Sequence, residues 1–363
     1  MKAFGFGLMR LPMKGENVDI EETKKMTDLF LEEGFTYFDT AHGYIKKKSE
    51  PAAREALVDR YPRDRYTLTD KLSSFLIEKE EDIFPFFEKQ LEITQAQYFD
   101  YYLHHSLSEE SYATHVQWKA FEKVKELKDQ GKIKHIGISF HDKADVLEKI
   151  LQEQEHIEFV QLQINYLDWN DKKVQAAKCY EVCEKFNKPV IVMEPVKGGS
   201  LANLPKEAKQ IFDGLGKKAS YASYALRFVA ELPNVFMILS GMSSLEQMQD
   251  NLETMKDPRP LDARERQAIE EVTKILSHED MIPCTACEYC LEGCPSKIEI
   301  PSILAILNKK QVFQEKNQEE AYKEFVNSSS PASSCIDCKQ CEGVCPQEIK
   351  ISEHMKRAAE LFE

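Results

Sequence analysis

Four side chains that together can deliver a proton to an oxygen stand at the ends of short apolar runs. FDTAHGY at 38–44 offers Asp39 and Tyr44, TDK at 69–71 offers Lys71, and LHH at 103–105 offers His104 and His105. A tyrosine, with an ordinary pKa of about 10, is a poor acid at neutral pH. A lysine ammonium beside it favours the tyrosinate and lowers that pKa. Asp39 would hold Lys71 charged and oriented, and a histidine can hydrogen-bond the oxygen that receives the proton. The chemistry this permits is protonation of a carbonyl oxygen by Tyr44 as hydride arrives at the carbon. Taken alone, Asp39 and Lys71 read as a buried structural ion pair; the four together read as catalytic.

A second set of reactive residues lies at the other end of the chain. CTACEYCLEGCP at 284–295 and CIDCKQCEGVCP at 335–346 both have the form C-x2-C-x2-C-x3-C-P. Three closely spaced thiolates wrap one face of an iron–sulfur cubane, the fourth reaches a second cluster, and proline turns the chain away. The crossed assignment puts Cys284, Cys287, Cys290 and Cys345 on one [4Fe–4S] cluster. Cys335, Cys338, Cys341 and Cys294 take the other. Structural zinc accounts for paired C-x-x-C units, but not for a third and fourth cysteine followed by proline, twice. Cys179 and Cys183, one helical turn apart, read as core filling.

These residues need a scaffold that brings strand ends together. Strand-like runs fall at 4–8, 35–39, 66–70, 99–103, 134–139, 158–163, 189–193 and 235–239. Helix-period segments alternate with them at 20–33, 50–60, 79–93, 114–131, 142–154, 171–187, 216–230 and 244–255. In 114–131, Val116, Phe121, Val124 and Leu127 share one face. Strand–helix alternation means parallel strands joined by crossovers. Eight units over this length predict an α/β fold, a (β/α)8 TIM barrel, whose active site gathers at the strands' C-terminal ends. No G-x-G-x-x-G follows an early strand, so an open dinucleotide-binding sheet lacks its fingerprint. DPRP at 257–260 breaks the pattern, and Asp262 with Glu265 forms a capping-box signature for a helix over 263–276. Beyond it, 301–326 reads as two helical pieces around polar 314–320, and SSSPASS at 328–334 as a flexible lead into the second cysteine run. The division expected is a barrel over 1–260 and, over 261–363, a helix plus a small, mainly helical, ferredoxin-like domain.

The bulk numbers fit that picture. The chain has 363 residues, 42% hydrophobic and 30% charged, enough for a large barrel and an appendage. No apolar stretch approaches the roughly 18 residues of a membrane span, and MKAFGFGLMRLPMKG lacks the pattern of a secretion signal. A net charge of −14 disfavours binding to nucleic acid or anionic membranes. Eight of the ten cysteines lie in the last 80 residues, which argues for a cytoplasmic metal centre over a disulfide framework.

The chain resembles the aldo-keto reductase superfamily over roughly residues 4–256. FDTAHGY matches the family's strand with the catalytic aspartate and tyrosine, TDKL its lysine strand, and FDYYLHHS its histidine strand. By that match the catalytic residues are Asp39, Tyr44, Lys71 and His105, not His104. GISF at 137–140 and VQLQINYLD at 160–168 match segments that hold a nicotinamide carboxamide, which implies Ser139 and Gln161 as contacts. VMEPVKGG at 192–199 matches the loop that crosses the nicotinamide and pyrophosphate. After the last strand the family often carries a lysine and an arginine that grip the 2′-phosphate of NADP. Here SGMSSLEQMQDN puts Gly241 and Gln247 near those positions and leaves Ser243, Ser244, Gln247 and Asn251 as polar contacts, so NADP and NAD both remain open. The tail resembles that of bacterial members with a C-terminal 4Fe-4S module.

Three functions follow. The barrel is a nicotinamide-dependent reductase of a small carbonyl substrate, or the reverse dehydrogenase, and its clusters exchange electrons with an external ferredoxin or other redox partner. Or the reductase is conventional and its clusters are structural. Or the chain is a non-catalytic electron-transfer subunit, a reading the intact tetrad opposes. No recognisable flavin motif is present.

Overall fold

The computed structural model describes residues 3–277, 280–312 and 316–363. They form two compact units. The first comprises residues up to Val196 together with Ala222–Asp262, and the second Lys197–Tyr221 together with Ala263–Glu363.

The first unit is a closed barrel of eight parallel strands. Its strands are β1 (Phe4–Gly7), β4 (Tyr37–Asp39), β5 (Thr67–Leu72), β6 (Phe99–Leu107), β7 (Ile133–Phe140), β8 (Phe159–Gln163), β9 (Val190–Met193) and β10 (Val235–Gly241). Each pairs with its neighbour in chain order, and β10 closes on β1. A two-stranded antiparallel hairpin, β2 (Met13–Lys14) and β3 (Asn17–Val18), sits between β1 and the first helix. Every predicted barrel strand is present. They were legible because parallel strands are buried on both faces and read as apolar runs. One side of the wall packs Phe4, Phe6, Phe30, Phe35 and Phe38 into a connected aromatic cluster. Another layer is Tyr37, Leu103, Phe159, Ile191, Met237 and Leu239. Phe159 fills so much of that layer that Gly137 cannot be replaced: a Cβ there would lie 2.4 Å from the ring.

The helices are α1 (Ile20–Glu32), α2 (Ser49–Ala53), α3 (Ile83–Thr94), α4 (Glu109–Gln117), α5 (Ala120–Asp129), α6 (Ala144–Glu153), α7 (Ala176–Lys185), α8 (Lys206–Asp213), α9 (Tyr221–Ala230) and α10 (Leu245–Lys256). The segment 114–131 is two helices, not one. Lys119 adopts a left-handed φ of 48° between α4 and α5. Phe121, Val124 and Leu127 are buried as expected, but Val116, on the other side of the break, is 48% exposed. Within 50–60, α2 passes into a π-helical turn over Arg54–Val58.

The second unit takes α8 and adds α11 (Ala263–Leu276), α12 (Tyr289–Glu292), α13 (Ile300–Gln311), α14 (Gln318–Val326), α15 (Gln340–Gly343) and α16 (Ile351–Phe362). Glu265, the acidic member of the capping-box signature, is buried and pairs with Lys217 at 2.9 Å. Helix α8, which the sequence reading lacked, packs on α11 through apolar Ala208 and Phe212. The helical pieces expected over 301–326 are α13 and α14; the polar stretch between them lies partly outside the described residues. The core is Ile298, Ile303, Leu304, Leu307, Met355 and Phe362, with the Phe362 ring stacked 4.8 Å from Tyr322. The segment 328–334 is not simply a slack lead. Ala332 is buried, and its N–H donates to Tyr322 Oη at 2.8 Å.

Candidate functional site

Asp39 ends β4, and Lys71 lies one residue before the end of β5, so both side chains stand at the C-terminal rim of the barrel. Lys71 is fully buried and its ammonium has three donors. All three are engaged: Nζ donates to Asp39 Oδ1 at 2.6 Å, to the Thr40 carbonyl at 2.8 Å and to Tyr44 Oη at 3.1 Å. Nζ also lies 4.7 Å from the centre of the Tyr44 ring. Burial pushes the Asp39 carboxyl up, while the Lys71 charge beside it pulls it down. Tyr44 is followed by three successive left-handed residues, Ile45, Lys46 and Lys47, with φ of 50°, 50° and 66°. Each such non-glycine residue costs on the order of 1–3 kcal/mol, and strain of this kind is characteristic of sites that must hold a side chain in place. The turn is tied down where Thr40 Oγ1 meets Ser49 Oγ at 2.7 Å and Ser49 Oγ donates to the Leu8 carbonyl at 2.9 Å.

The structure brings His105 to this group. Its ring centre lies 6.0 Å from that of Tyr44 in an edge-on arrangement. Its Nδ1 is 2.6 Å from Ser73 Oγ. Burial first, and the nearby Lys71 charge second, hold its pKa well below the ordinary histidine range, so the ring is neutral. A register irregularity in the β6–β7 ladder follows His104. Ser106 takes a left-handed φ of 57°, and its N–H donates to Ser139 Oγ at 2.7 Å instead of to the ladder. His104 points the other way, into a buried cluster with His115 and Phe121. His42 is also buried, 2.7 Å from Glu50. His141 is anchored by its N–H to the Leu107 carbonyl at 2.9 Å.

Of the residues implied for cofactor binding, Ser139 and Gln161 are buried and face each other in register across β7 and β8. Ser243 and Gln247 are exposed beyond β10, where the Ser243 N–H donates to Gln247 Oε1 at 2.8 Å. The Asn251 amide donates to Ser240 Oγ at 2.9 Å. Sequence reasoning missed three residues here. Ser73 holds His105. Phe75, 43% exposed, lies 5.5 Å from the His105 ring. Arg10, from the turn after β1, lies across Gly241 with its stem 3.1 Å from where a Cβ would stand, and pairs with Glu194 at 2.9 Å. Nearness to Lys71 in sequence was the only signal for Ser73 and Phe75; Arg10 gave none.

In the second unit, Cys284, Cys287, Cys290 and Cys345 line one pocket, with Leu304 and Ile351. Cys294, Cys335, Cys338 and Cys341 line another, with Ile298 and Met355. These are the two crossed quartets. Among the described residues no three His, Cys, Asp or Glu side chains close around a single-ion site. The backbone repeats as the sequence does. Ala286, Glu288 and Lys297 have φ of 52°, 67° and 52°, and Asp337, Lys339 and Glu348, at the same places in the second run, 54°, 60° and 50°. Left-handed residues alternating with right-handed ones turn successive N–H groups toward one centre, the geometry of anionic and iron–sulfur nests. The Ala286 N–H lies 3.4 Å from Cys284 Sγ. Four cysteine sulfurs about a mostly apolar pocket, in loops that carry such left-handed residues, fit a [4Fe–4S] cluster in each quartet.

A parallel barrel with an acid, lysine, phenol and imidazole at its rim, continued by a unit built on paired cysteine loops, defines an oxidoreductase of aldo-keto reductase type. The model of the Aldo/keto reductase family matches residues 3–274, and the chain belongs to that family. A 4Fe-4S dicluster domain matches 283–349. Among solved structures, the holo form of an aldo-keto reductase from Bacillus halodurans is 24% identical, over 77% of this chain and 94% of that one, with a TM-score of 0.61. An aldo-keto reductase from Klebsiella pneumoniae in complex with NADP and acetate is 20% identical, over 75% and 91%, with a TM-score of 0.60. Likeness at these identities speaks to the fold. No curated protein sequence matched the chain. Among the described residues no helix is long and apolar enough to cross a membrane.

Proposed function

We propose that the barrel interconverts a carbonyl and an alcohol with a nicotinamide dinucleotide, NADP or NAD, and that Tyr44 is the general acid and base. The observation that carries this reading is the Lys71 ammonium, bonded at once to Asp39, Thr40 and Tyr44. When bound, the dinucleotide supplies hydride to the carbonyl carbon. Tyr44 accepts a hydrogen bond from Lys71, which favours its anion, and so gives its own proton more readily to the carbonyl oxygen. Asp39 fixes Lys71 in line. With Ser73 donating to Nδ1, His105 carries its hydrogen on Nε2 and offers it to the same oxygen. Ser139 and Gln161 would hold the carboxamide, and Ser243, Gln247 and Asn251 the far end of the cofactor, with Arg10 bringing a cation close to Gly241.

The two cysteine quartets would hold two [4Fe–4S] clusters, which when bound supply one-electron transfer to an external ferredoxin or similar partner. The paired, strained cysteine loops support that ligation. A small carbonyl or alcohol is the substrate class.

Two measurements test this. Tyr44→Phe should lower turnover of a carbonyl panel by a factor on the order of 10² or more, with dinucleotide binding and cluster absorption retained; turnover within a few-fold of wild type would refute the tetrad. Anaerobic protein titrated with NADPH or NADH in the presence of a free flavin, the intermediary that converts hydride into single electrons, should show partial bleaching of its cluster absorption. A spectrum unchanged with dinucleotide bound would mean that the clusters serve the fold instead.

A further inference from the structure

Asp70 precedes Lys71 on β5, so its side chain leaves the opposite face of the strand. There it enters a second group of ionisable residues, closed to solvent. Asp70, Glu50 and Gln90 are all 0% exposed. Gln90, on α3, stands between the two acids. Its Nε2 lies 3.2 Å from Glu50 Oε1, 2.8 Å from Asp70 Oδ1 and 3.1 Å from the Lys71 carbonyl, and its Oε1 accepts from Tyr102 Oη at 2.6 Å. Asp70 Oδ1 also accepts the Lys71 N–H at 2.8 Å. Glu50 Oε2 is 2.7 Å from His42 Nδ1. One oxygen of the pair is left over. Asp70 Oδ2 is buried with no hydrogen-bond partner, and the Gln90 amide nitrogen, within reach of both acids, keeps the second carboxyl group close by. A buried carboxylate oxygen facing a second carboxylate is doubly unfavourable, through desolvation and like charge. A carboxylic acid O–H in that place removes both costs.

We propose that Asp70 carries a proton on Oδ2 and donates it to Glu50, and that this acid pair braces the tetrad from behind, gripping Lys71 through its backbone and the Tyr44 loop through His42. No role in proton transfer to substrate is involved; both acids are positioning residues. The inference adds to the proposed function of the barrel, and its part concerning turnover rests on that reading.

The charged and titratable groups facing the pair are His42 from the Tyr44 loop, Lys71 from β5, Lys89 from α3 and Tyr102 from β6. Lys71 is committed to Asp39, and Lys89 is exposed. His42 stands against Glu50, so none of these groups is placed to pair with Asp70 Oδ2. Burial accordingly pushes Glu50 up to about 7, and burial with the neighbouring Glu50 charge pushes Asp70 well above the carboxylate range. Groups raised in the folded state favour folding at low pH, and that contribution is lost as pH rises through the folded values. For one retained proton the folding equilibrium falls about tenfold per pH unit across that window.

The test uses the whole protein. Infrared spectra at neutral pH should contain the carbonyl stretch of a protonated carboxyl group that disappears in Asp70→Asn. The asparagine keeps a donor toward Glu50 and an acceptor for the Lys71 N–H. Wild-type Tm should fall as pH rises from about 5 to 7, and should fall less in Asp70→Asn; Glu50→Gln supplies the same comparison should the first variant fold poorly. The alkaline limb of the turnover profile should move to higher pH in whichever variant folds. A protonated-carboxyl band absent from wild type, or present and unchanged in Asp70→Asn, overturns the assignment. So does a Tm profile that both variants leave as steep as wild type. Infrared and melting data need no turnover, so they stand even if Tyr44→Phe shows the tetrad to be misassigned.

Discussion

In the proposed mechanism, Ser73 sets which nitrogen of His105 carries the hydrogen. The ring is buried and neutral, so one nitrogen accepts and the other donates. A serine hydroxyl 2.6 Å from Nδ1 is placed to donate to it, and the proposed mechanism needs that direction because it leaves the hydrogen on Nε2. Ser73→Ala removes that bias. The expected result is a kcat lower by roughly tenfold or more, with the KM for dinucleotide unchanged and with rescue by Ser73→Thr. A steady-state comparison of the three proteins checks it; an unchanged kcat in the alanine variant would show that the tautomer is set elsewhere. The tetrad positions could be read from the sequence because each stands at or beside the end of an apolar run, where a barrel gathers its chemistry. Ser73 carried no such mark, and Gln90 still less. Its partners Glu50 and Asp70 lie 40 and 20 residues away, and a contact over that distance leaves no local pattern.

At the scale of elements, β6 carries chemistry on both faces. His105 faces Tyr44, while His104 packs among His115 and Phe121 with both ring nitrogens unpartnered. Burial holds His104 well below the ordinary range and His115 near about 4. Since the folded values are depressed, the neutral rings favour folding above about 6.5, and this contribution is lost as pH falls from there toward 4. Acid should therefore loosen β6. His104→Leu removes one of these groups, so its Tm should fall less steeply than wild type between pH 6.5 and 4 in a melting series. Equal slopes would mean that the histidines do not govern acid unfolding. The sequence showed all eight barrel strands, yet it did not show the break between α4 and α5. The turn there depends on a left-handed Lys119, a conformation that lysine's identity does not announce. Helix α8 and the β2–β3 hairpin are too short to display a period.

At the scale of the whole molecule, the second unit takes its residues from two parts of the chain. Lys197–Tyr221 belongs with Ala263–Glu363, although it is threaded between β9 and β10 of the barrel. The sequence division at residue 260 follows the chain, and the packing does not. Removing everything after Asp262 would strip α11 from α8 and take away the helix packed beside the buried Ala208 and Phe212. At about 25 cal/mol per Å² of newly exposed apolar surface, that loss amounts to several kcal/mol. Such a truncated protein should aggregate or melt well below the full chain, as light scattering and calorimetry would show. A truncated barrel with unchanged Tm would mean that α8 contributes little.

The same threading sets an order of events during synthesis. Helix α8 leaves the ribosome while its packing partner α11 is still to be made, some fifty residues later. At ordinary elongation rates that interval is several seconds, long compared with the collapse of a chain of this size. Throughout it β10 can complete the barrel, while the apolar side of α8 waits uncovered. A nascent chain stalled between α10 and α11 would expose that face to a chaperone, and one released a few tens of residues later would not.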